Sequence, residues 1–272
     1  MLSDLLSNVF LGITQGLTEF IPVSSSGHLI VVRDILSMQF ISGLSQDAVL
    51  QLATTLAVIV YFRKDLYKIF LSFIKLVQKK EVEKNDKSMV WAIIIGTIPA
   101  VFFGILLENP METIFRHSIF VAGTLIIGSI IMIVAENKYA KLESTKKINK
   151  SRGLMIGFFQ ALALFPGMSR SGMTIAGGLF YKLDRNEATK FSFILAVPIL
   201  VGSGLKKLFE LMSSGLAPEI GLSLFVGSIT SFIVGLIAIH FLIKFLKNHT
   251  LKVFAYYRIL LAIIIITANL VF

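Results

Sequence analysis

The sequence predicts an all-α, polytopic membrane protein, and three observations support that class. Hydrophobic residues fill 55% of the 272 positions and charged residues only 15%, with a mean hydropathy of +0.82, which is too apolar for a soluble surface. Apolar runs recur along the chain at lengths close to the roughly 20 residues that a membrane crossing needs. One polar-interrupted motif also occurs twice. We therefore expect a single membrane-embedded domain over residues 1–272, because the charged segments are too short to form another.

The repeated motif places ionisable side chains inside apolar sequence. Seven identities, 145 residues apart, relate Gly12, Gln15, Leu17, Phe20, Ser24, Ser26 and Gly27 to Gly157, Gln160, Leu162, Phe165, Ser169, Ser171 and Gly172. The first copy also contains Glu19 and His28, and the second contains Arg170. An ionisable group at membrane depth costs about 3 kcal/mol even on lenient scales, so its presence indicates a functional site.

In chain order, each half combines one broken element with three spans. Residues 1–36 form two apolar arms separated by Pro22 and three serines. Neither arm is long enough to cross, so we predict a re-entrant helical hairpin whose opened backbone is buried in protein or faces water. The remaining predicted elements are spans at 49–62, 91–107 and 119–135, a second broken pair at 154–181, and spans at 191–205, 220–243 and 253–272. Glycines eight residues apart support the match, at 96 and 104 and again at 227 and 235.

The distribution of cations predicts the orientation of these elements. Segments 63–88, 137–153, 181–190 and 244–252 carry 20 Lys and Arg, whereas 37–48, 108–118 and 206–219 carry 3. The positive-inside rule then places the first group in the cytoplasm and both termini outside. Each half crosses three times, so the second half begins on the opposite side and the repeats are inverted, with the site where their broken helices meet. Repeat 1 is residues 1–136, the cytoplasmic connector is 137–153, and repeat 2 is 154–272.

Cysteine content, net charge and the first residues of the chain argue against three other features: thiol-based sites, a nucleic-acid partner and a removable signal peptide. The chain has no cysteine, which excludes disulfides and thiolate metal sites. The net charge of +10 arises from the loops that set orientation, so no nucleic-acid partner is expected. Residues 1–7 contain one Asp and no Lys or Arg, so we do not expect a removable signal peptide.

The broken elements favour an anionic ligand, because interrupted helices present free N–H groups to whatever fills the gap. Arg170 suits phosphate oxygens, as do the hydroxyls of Ser24, Ser25, Ser26, Ser169, Ser171 and Thr174. Glu19 would repel a bare phosphate, so we expect it to hold a divalent cation or to take a proton, and His28 can act near neutral pH. Together these groups indicate phosphoryl transfer, with a serine beside a base as the nucleophile.

Each of these residues also has a possible structural role that does not involve a site. Small residues often serve helix packing, the cluster Ser24–Ser26 could cap a helix, and Glu19 could form a purely structural ion pair with Arg170. The repeat relates Gln15 to Gln160, so a hydrogen-bonding role in the fold is open for both, next to a supporting role in the site. Arg258, beside Tyr256 and Tyr257, is expected to be an interfacial anchor, with a supporting role in the site as the alternative.

Two segments carry a resemblance to a known family. They are Gln15-Gly-Leu-Thr-Glu-Phe-Ile-Pro-Val-Ser-Ser-Ser-Gly-His28 and Pro166-Gly-Met-Ser-Arg-Ser-Gly-Met-Thr174. These segments resemble the two signature motifs of the undecaprenyl-diphosphate phosphatases, the bacterial bacitracin-resistance family. The similarity runs the length of the chain and includes Phe254-Ala-Tyr-Tyr-Arg258 near its end.

The resemblance implies hydrolysis of undecaprenyl diphosphate, a polyprenyl diphosphate lipid, to the monophosphate and inorganic phosphate. It also implies two inverted repeats with re-entrant hairpins in the bacterial cell membrane, a site open to the outer face, and a divalent cation, Mg or Ca. Carried over by position, Glu19 is the essential acid and metal ligand, Ser25 the candidate nucleophile, His28 the candidate base and Arg170 the phosphate ligand. The motif often has Glu where this chain has Gln15, which leaves Glu19 as the expected sole carboxylate.

The resulting hypothesis is that Ser25, deprotonated by His28 or Glu19, attacks the terminal phosphorus. Alternatively, the same groups activate a water molecule. The alternative is a transporter, either a lipid-phosphate flippase or an anion carrier, since broken helices in inverted repeats are typical of carriers. Glycine-rich faces such as 123–128 could pack within or between chains, so a homodimer is left open.

Overall fold

The computed structural model describes residues 2–35, 43–108, 115, 117–139, 147–213 and 217–271, and the regular structure in these ranges is helical. The eleven helices bounded within these ranges are α1 Leu2–Phe20, α2 Ser25–Ile35, α3 Gly43–Tyr61, α4 Arg63–Val77, α5 Lys84–Leu106, α6 Ser118–Lys138, α7 Lys150–Leu162, α8 Arg170–Phe180, α9 Arg185–Ser213, α10 Ala217–Leu246 and α11 Lys252–Val271. Five of them, α5, α6, α9, α10 and α11, are long and apolar enough to cross a membrane. The predicted all-α membrane class is therefore confirmed.

The helices differ from the predicted spans in two places. Residues 63–88 were predicted as a connecting segment, yet α4 occupies much of it, because Leu66 and Ile69 pack against the core and Asp65 lies in the favourable first turn. The predicted span 49–62 corresponds to residues 49–61 of α3, whose apolar part Gln46–Tyr61 is shorter than the five spanning helices. Parts of the predicted outer segments 37–48, 108–118 and 206–219 and of the connector 137–153 fall outside the described residues.

Both predicted breaks are present and have the same local structure. The backbone has a positive φ at Ser24, 78°, and at the equivalent Ser169, 68°. The Ser24 hydroxyl accepts a hydrogen bond from the Gly27 N–H, and the Ser169 hydroxyl accepts one from the Gly172 N–H. Each serine therefore caps the helix that restarts after the break. The alternative interpretation of Ser24 as a helix cap is therefore correct.

Two close helix crossings fix how the hairpins sit against the spans. α1 lies along α10 and α5 along α7. A Cβ at Gly12 would overlap the carbonyl oxygen of Gly227, and one at Gly157 would overlap that of Gly96. These glycines allow backbone to meet backbone, which larger side chains would prevent.

The centre of the molecule is the short helix α8. Its residues 171–179 are all buried, and α6, α7 and α9 pack around it. Ala176, Gly177 and Gly178 let these neighbours approach closely, since small side chains keep the helix narrow. Arg170 is therefore the first residue of a buried helix.

Candidate active site

A cavity of about 570 Å³ is lined by both hairpins and by α3, α5 and α9. Its polar lining includes Gln15, Glu19, Ser24, Ser25, Ser26, Gln51, Gln160, Ser169 and Arg170, and its apolar lining includes Ala100, Val101, Ile105, Leu164, Pro198 and Ile199. A pocket with clustered polar groups and an apolar wall suits a ligand with a charged head and a hydrocarbon tail.

Glu19 is the centre of the polar cluster. Its side chain is 2% exposed and Arg170 donates to its Oε1 at 2.8 Å. Gln15 donates to Oε2 at 2.9 Å, and Ser25 donates to Oε2 at 2.8 Å. Gln51 adds a longer hydrogen bond of 3.3 Å to Oε1. The structure thus brings an acid, a guanidinium and a hydroxyl into direct contact, from three different helices.

The three serines of the first motif have three different environments. Ser24 is the helix cap, and Ser26 accepts a hydrogen bond of 3.3 Å from the Gly167 N–H, which joins the two hairpins. Ser25 is the one of these three whose hydroxyl contacts the carboxylate of Glu19. A hydroxyl that donates to a carboxylate can transfer its proton there as it attacks.

His28 lies apart from this cluster. Its Nδ1 is 2.8 Å from the Ser24 carbonyl oxygen and its Nε2 is 2.8 Å from the Tyr257 hydroxyl. The bond to the preceding helical turn directs the ring toward α11, where it stacks on Tyr257 with centroids 5.6 Å apart. The structure therefore does not bring His28 to Ser25, and the base in contact with Ser25 is Glu19.

In the second motif, only part of the predicted phosphate-binding set reaches the cavity. Ser171 and Thr174 are fully buried, and their hydroxyls bond to Ser169 and Ser192 respectively. Neither lines the cavity, because α8 turns both side chains into its own packing interfaces. In this arrangement the hydroxyls of Ser171 and Thr174 are thus bonded within the protein. Ser24, Ser26 and Ser169 do line the cavity, and the phosphate contacts of all five residues stay predictions.

Arg258 is not an interfacial anchor, so that expectation is wrong. Its side chain is fully buried and donates to the carbonyl oxygens of Gly167 at 2.9 Å and Leu125 at 3.3 Å. Space for the guanidinium exists because a glycine, Gly128, faces it on α6. Gly167 precedes Arg170 by three residues and has a φ of +97°. Arg258 therefore holds the loop that leads to Arg170, and its supporting role in the site stays a prediction.

The sequence of this chain matches one protein family over a range that includes nearly all of these residues. The family of the bacitracin resistance protein BacA matches residues 8–264, which includes both broken hairpins and Arg258. The chain belongs to this family.

Curated relatives are similar over nearly their full length, and they are called undecaprenyl-diphosphatase. Undecaprenyl-diphosphatase 1 of Corynebacterium jeikeium is 42% identical over 259 residues, covering 94% of this chain and 92% of the relative. The undecaprenyl-diphosphatase of Rubrobacter xylanophilus is 39% identical, covering 96% and 97%. That of Methanosphaera stadtmanae is 36% identical, covering 98% and 99%.

Two groups of cavity residues were missed by the sequence analysis. Gln51 is a polar residue at the start of an apolar run, and that is the signal that could have identified it. At another part of the cavity, Lys206 donates to Glu108 at 2.7 Å, and Arg33 pairs with Asp47. The hydrogen bond from Lys206 lowers the pKa of Glu108. In the predicted plan Glu108 and Lys206 directly follow spans and Asp47 precedes one, positions where a solvated surface is the default interpretation.

The donor set does not form a ready-made cation site. Within the described ranges, there is no group of three His, Asp or Glu residues that could hold a metal ion. Both carboxylate oxygens of Glu19 already accept hydrogen bonds, one of them from a guanidinium. The predicted role of Glu19 as a metal ligand therefore does not fit while Arg170 is bound to it.

Proposed function

We propose that this chain is an undecaprenyl-diphosphatase, which hydrolyses undecaprenyl diphosphate to undecaprenyl phosphate and inorganic phosphate. The observation that carries the proposal is the contact of Glu19 with both Ser25 and Arg170 in a cavity with an apolar wall. Family membership and the names of the relatives support the same substrate. The activity recycles the lipid carrier of peptidoglycan synthesis, and this recycling confers resistance to bacitracin.

The chemistry follows from the hydrogen bonds of Ser25. As the Ser25 oxygen attacks the terminal phosphorus, its proton passes to Glu19 and the bond from that phosphorus to the bridging oxygen breaks. Undecaprenyl phosphate leaves and the phosphoryl group stays on Ser25. Water then attacks this phosphorus, the bond to Ser25 breaks, and Glu19 returns the proton to the serine. Both protons of the water leave with the inorganic phosphate.

Arg170 supplies the charge that phosphoryl transfer needs. Its Nη2 binds Glu19, whereas its Nε and Nη1 have no hydrogen-bond partner within the described part of the chain. A diphosphate entering the cavity gives these nitrogens anionic acceptors for charge-assisted hydrogen bonds. When Arg170 turns to the phosphate, the carboxylate of Glu19 is left to accept the Ser25 proton.

The same proposal includes the architecture of two inverted repeats with re-entrant hairpins. The two close crossings support it, because Gly12 and Gly157 are equivalent under the repeat, and so are their partners Gly227 and Gly96. The identical caps at both breaks support it as well. In this proposal both termini lie outside and the cavity opens, at Lys206, toward the outer face of the cell membrane, and the cation distribution supports this orientation.

A divalent cation and a homodimer stay part of the proposal as separate predictions. Mg²⁺ is commonly bound through one carboxylate and substrate phosphates, so a cation would arrive with the diphosphate and bind Glu19 only after Arg170 has turned to the phosphate. For the dimer, a methyl group added at Gly123 on α6 would meet no atom within 4 Å in the described part of the chain, which leaves room for a second helix. Phosphate release with and without chelator tests the cation, and crosslinking through α6 tests the dimer.

Phosphate release by the purified protein in detergent tests the function. Detergent removes the two compartments that a carrier needs, so a transporter would release no phosphate from undecaprenyl diphosphate. We expect turnover by the native chain and losses of at least about 100-fold for Glu19→Gln, Ser25→Ala and Arg170→Ala. Substrate labelled in the terminal phosphate should label Ser25. A native chain without turnover, or three variants with native turnover, would refute the assignment.

A further inference from the structure

Two glutamines that the repeat makes equivalent have opposite hydrogen-bond status. Gln15 is 1% exposed and its amide donates to Glu19 at 2.9 Å and to Thr54 at 3.5 Å. Gln160 is 2% exposed, and neither its Nε2 nor its Oε1 has a hydrogen-bond partner among the residues that the structure describes. The same residue type in the same position therefore has satisfied polar atoms in one hairpin and unsatisfied ones in the other.

The difference arises from a single position in the repeat. Gln15 bonds to Glu19, one helical turn further on. The residue that corresponds to Glu19 in the second copy is Leu164, which cannot accept a hydrogen bond. The amide of Gln160 has thus lost the acceptor that its counterpart uses. Both Gln160 and Leu164 line the cavity.

A buried amide without a partner destabilises the fold, since folding removes the water that would otherwise bond to it. A methionine or leucine of similar size would avoid that cost at Gln160. The amide is compensated if a ligand supplies the missing acceptor, and the cavity that it lines also contains Arg170, whose Nε and Nη1 are unpartnered too. Both residues thus line one cavity and carry buried N–H donors without a partner, a combination that suits an anion.

We propose that Gln160 is a substrate-binding residue, whose Nε2 donates to a phosphate oxygen of the bound diphosphate. This inference rests on the proposed function for the identity of the substrate, but it comes from the unpartnered amide itself. In this arrangement the first repeat contributes the acid and the nucleophile, and the second contributes two phosphate donors, Arg170 and Gln160. The apolar residue at Leu164 keeps the carboxylate out of the second copy, where it would repel phosphate.

The test compares Gln160→Met with Gln15→Met, because the two positions match under the repeat. Three quantities are measured on each purified full-length variant: thermal stability without ligand, the stabilisation caused by added inorganic diphosphate, and kcat/KM for undecaprenyl diphosphate. For Gln160→Met we expect unchanged or higher stability, since an unsatisfied polar group is removed. The stabilisation by diphosphate should be lost and kcat/KM should fall about 10- to 100-fold, as for one hydrogen bond to a charged group.

Gln15→Met should behave differently, because its amide is already bonded within the protein. We expect lower stability without ligand, since Glu19 and Thr54 lose a donor, while stabilisation by inorganic diphosphate persists. Gln160→Asn provides a second variant, which keeps the amide but withdraws it by one methylene. It should lose the diphosphate effect to a similar extent as Gln160→Met.

The outcomes separate the two proposals. Native-like kcat/KM and a retained diphosphate effect in Gln160→Met and Gln160→Asn would overturn the role of Gln160. A stability loss in Gln160→Met as large as that in Gln15→Met would do the same, because it would show a structural hydrogen bond. If the native chain releases no phosphate, the proposed function fails, and the diphosphate effect still decides the role of Gln160.

Discussion

The buried ion pair between Glu19 and Arg170 permits a test in which stability and activity respond differently. The variants are Glu19→Gln, Arg170→Gln and the double variant that carries both changes. Each single variant leaves one charge buried without its partner. The double variant leaves two neutral amides, which can hydrogen-bond to each other and to Gln15.

The burial of the pair determines the expected magnitude. The side chains are 2% and 11% exposed and 2.8 Å apart, and breaking such a pair by removing one partner costs about 3 to 5 kcal/mol. Arg170 reaches the cavity, so the lower end, about 3 kcal/mol, is expected for Glu19→Gln. In the double variant neither charge remains, and we expect about 2 kcal/mol of coupling between the two sites to be recovered.

Two quantities are measured on the same samples. They are the free energy of unfolding in detergent, from denaturant titration, and the rate of phosphate release. Both single variants and the double variant should release phosphate at least about 100-fold more slowly. Stability should therefore return in the double variant without activity. Strictly additive stability losses would contradict this reasoning, because they would show that the two side chains do not interact.

Three further predictions concern the elements around this pair. Gly157→Ala should separate α7 from α5 and destabilise the protein by about 2 kcal/mol, because its methyl group would overlap the carbonyl oxygen of Gly96. Ser169→Ala should cost about 1 kcal/mol through the lost cap, whereas Ser169→Gly should cost only a few tenths, since glycine tolerates the positive φ. Arg258→Met should lower stability by about 2 kcal/mol and also slow phosphate release, because the carbonyl of Gly167 loses its donor.

These three predictions are checked by the same unfolding titration, with phosphate release added for Arg258→Met. Gly202→Ala is the control for the helix crossing, since the space around Gly202 is open, and it should leave stability unchanged. Equal losses for Ser169→Ala and Ser169→Gly would contradict the argument about the backbone at that cap. Arg258→Met with native turnover would show that the Gly167 loop does not position Arg170.

The sequence was sufficient to predict the breaks and the central contacts of the site. Pro22 in the first copy and Pro166 with Gly167 in the second mark positions where a helix is interrupted, and the structure has both breaks. The repeat also implied that Glu19 and Arg170 meet, since each is an isolated charge in one of two matching motifs. Local pattern and the cost of buried charge carry this information, so no knowledge of the helix packing was needed.

Other contacts could not be predicted, because they depend on the relative rotation of distant helices. Arg258 follows two tyrosines near the start of an apolar run, which is the usual pattern of an interfacial anchor. Its burial depends on the space beside Gly128, about half the chain away. The bond from His28 to Tyr257 likewise depends on how α11 lies against α2. The contribution of Gln51 requires the register of α3 against α1.

The glycine crossings also determine how an isoprenoid chain can leave the cavity. Where α1 meets α10 and where α5 meets α7, backbone contact leaves no gap wide enough for a hydrocarbon tail. By contrast, Val101 and Ile105 on α5 and Pro198 on α9 line the cavity and are also exposed at the molecular surface. We therefore expect the lipid tail to reach the bilayer between α5 and α9, while the diphosphate stays inside with the polar cluster.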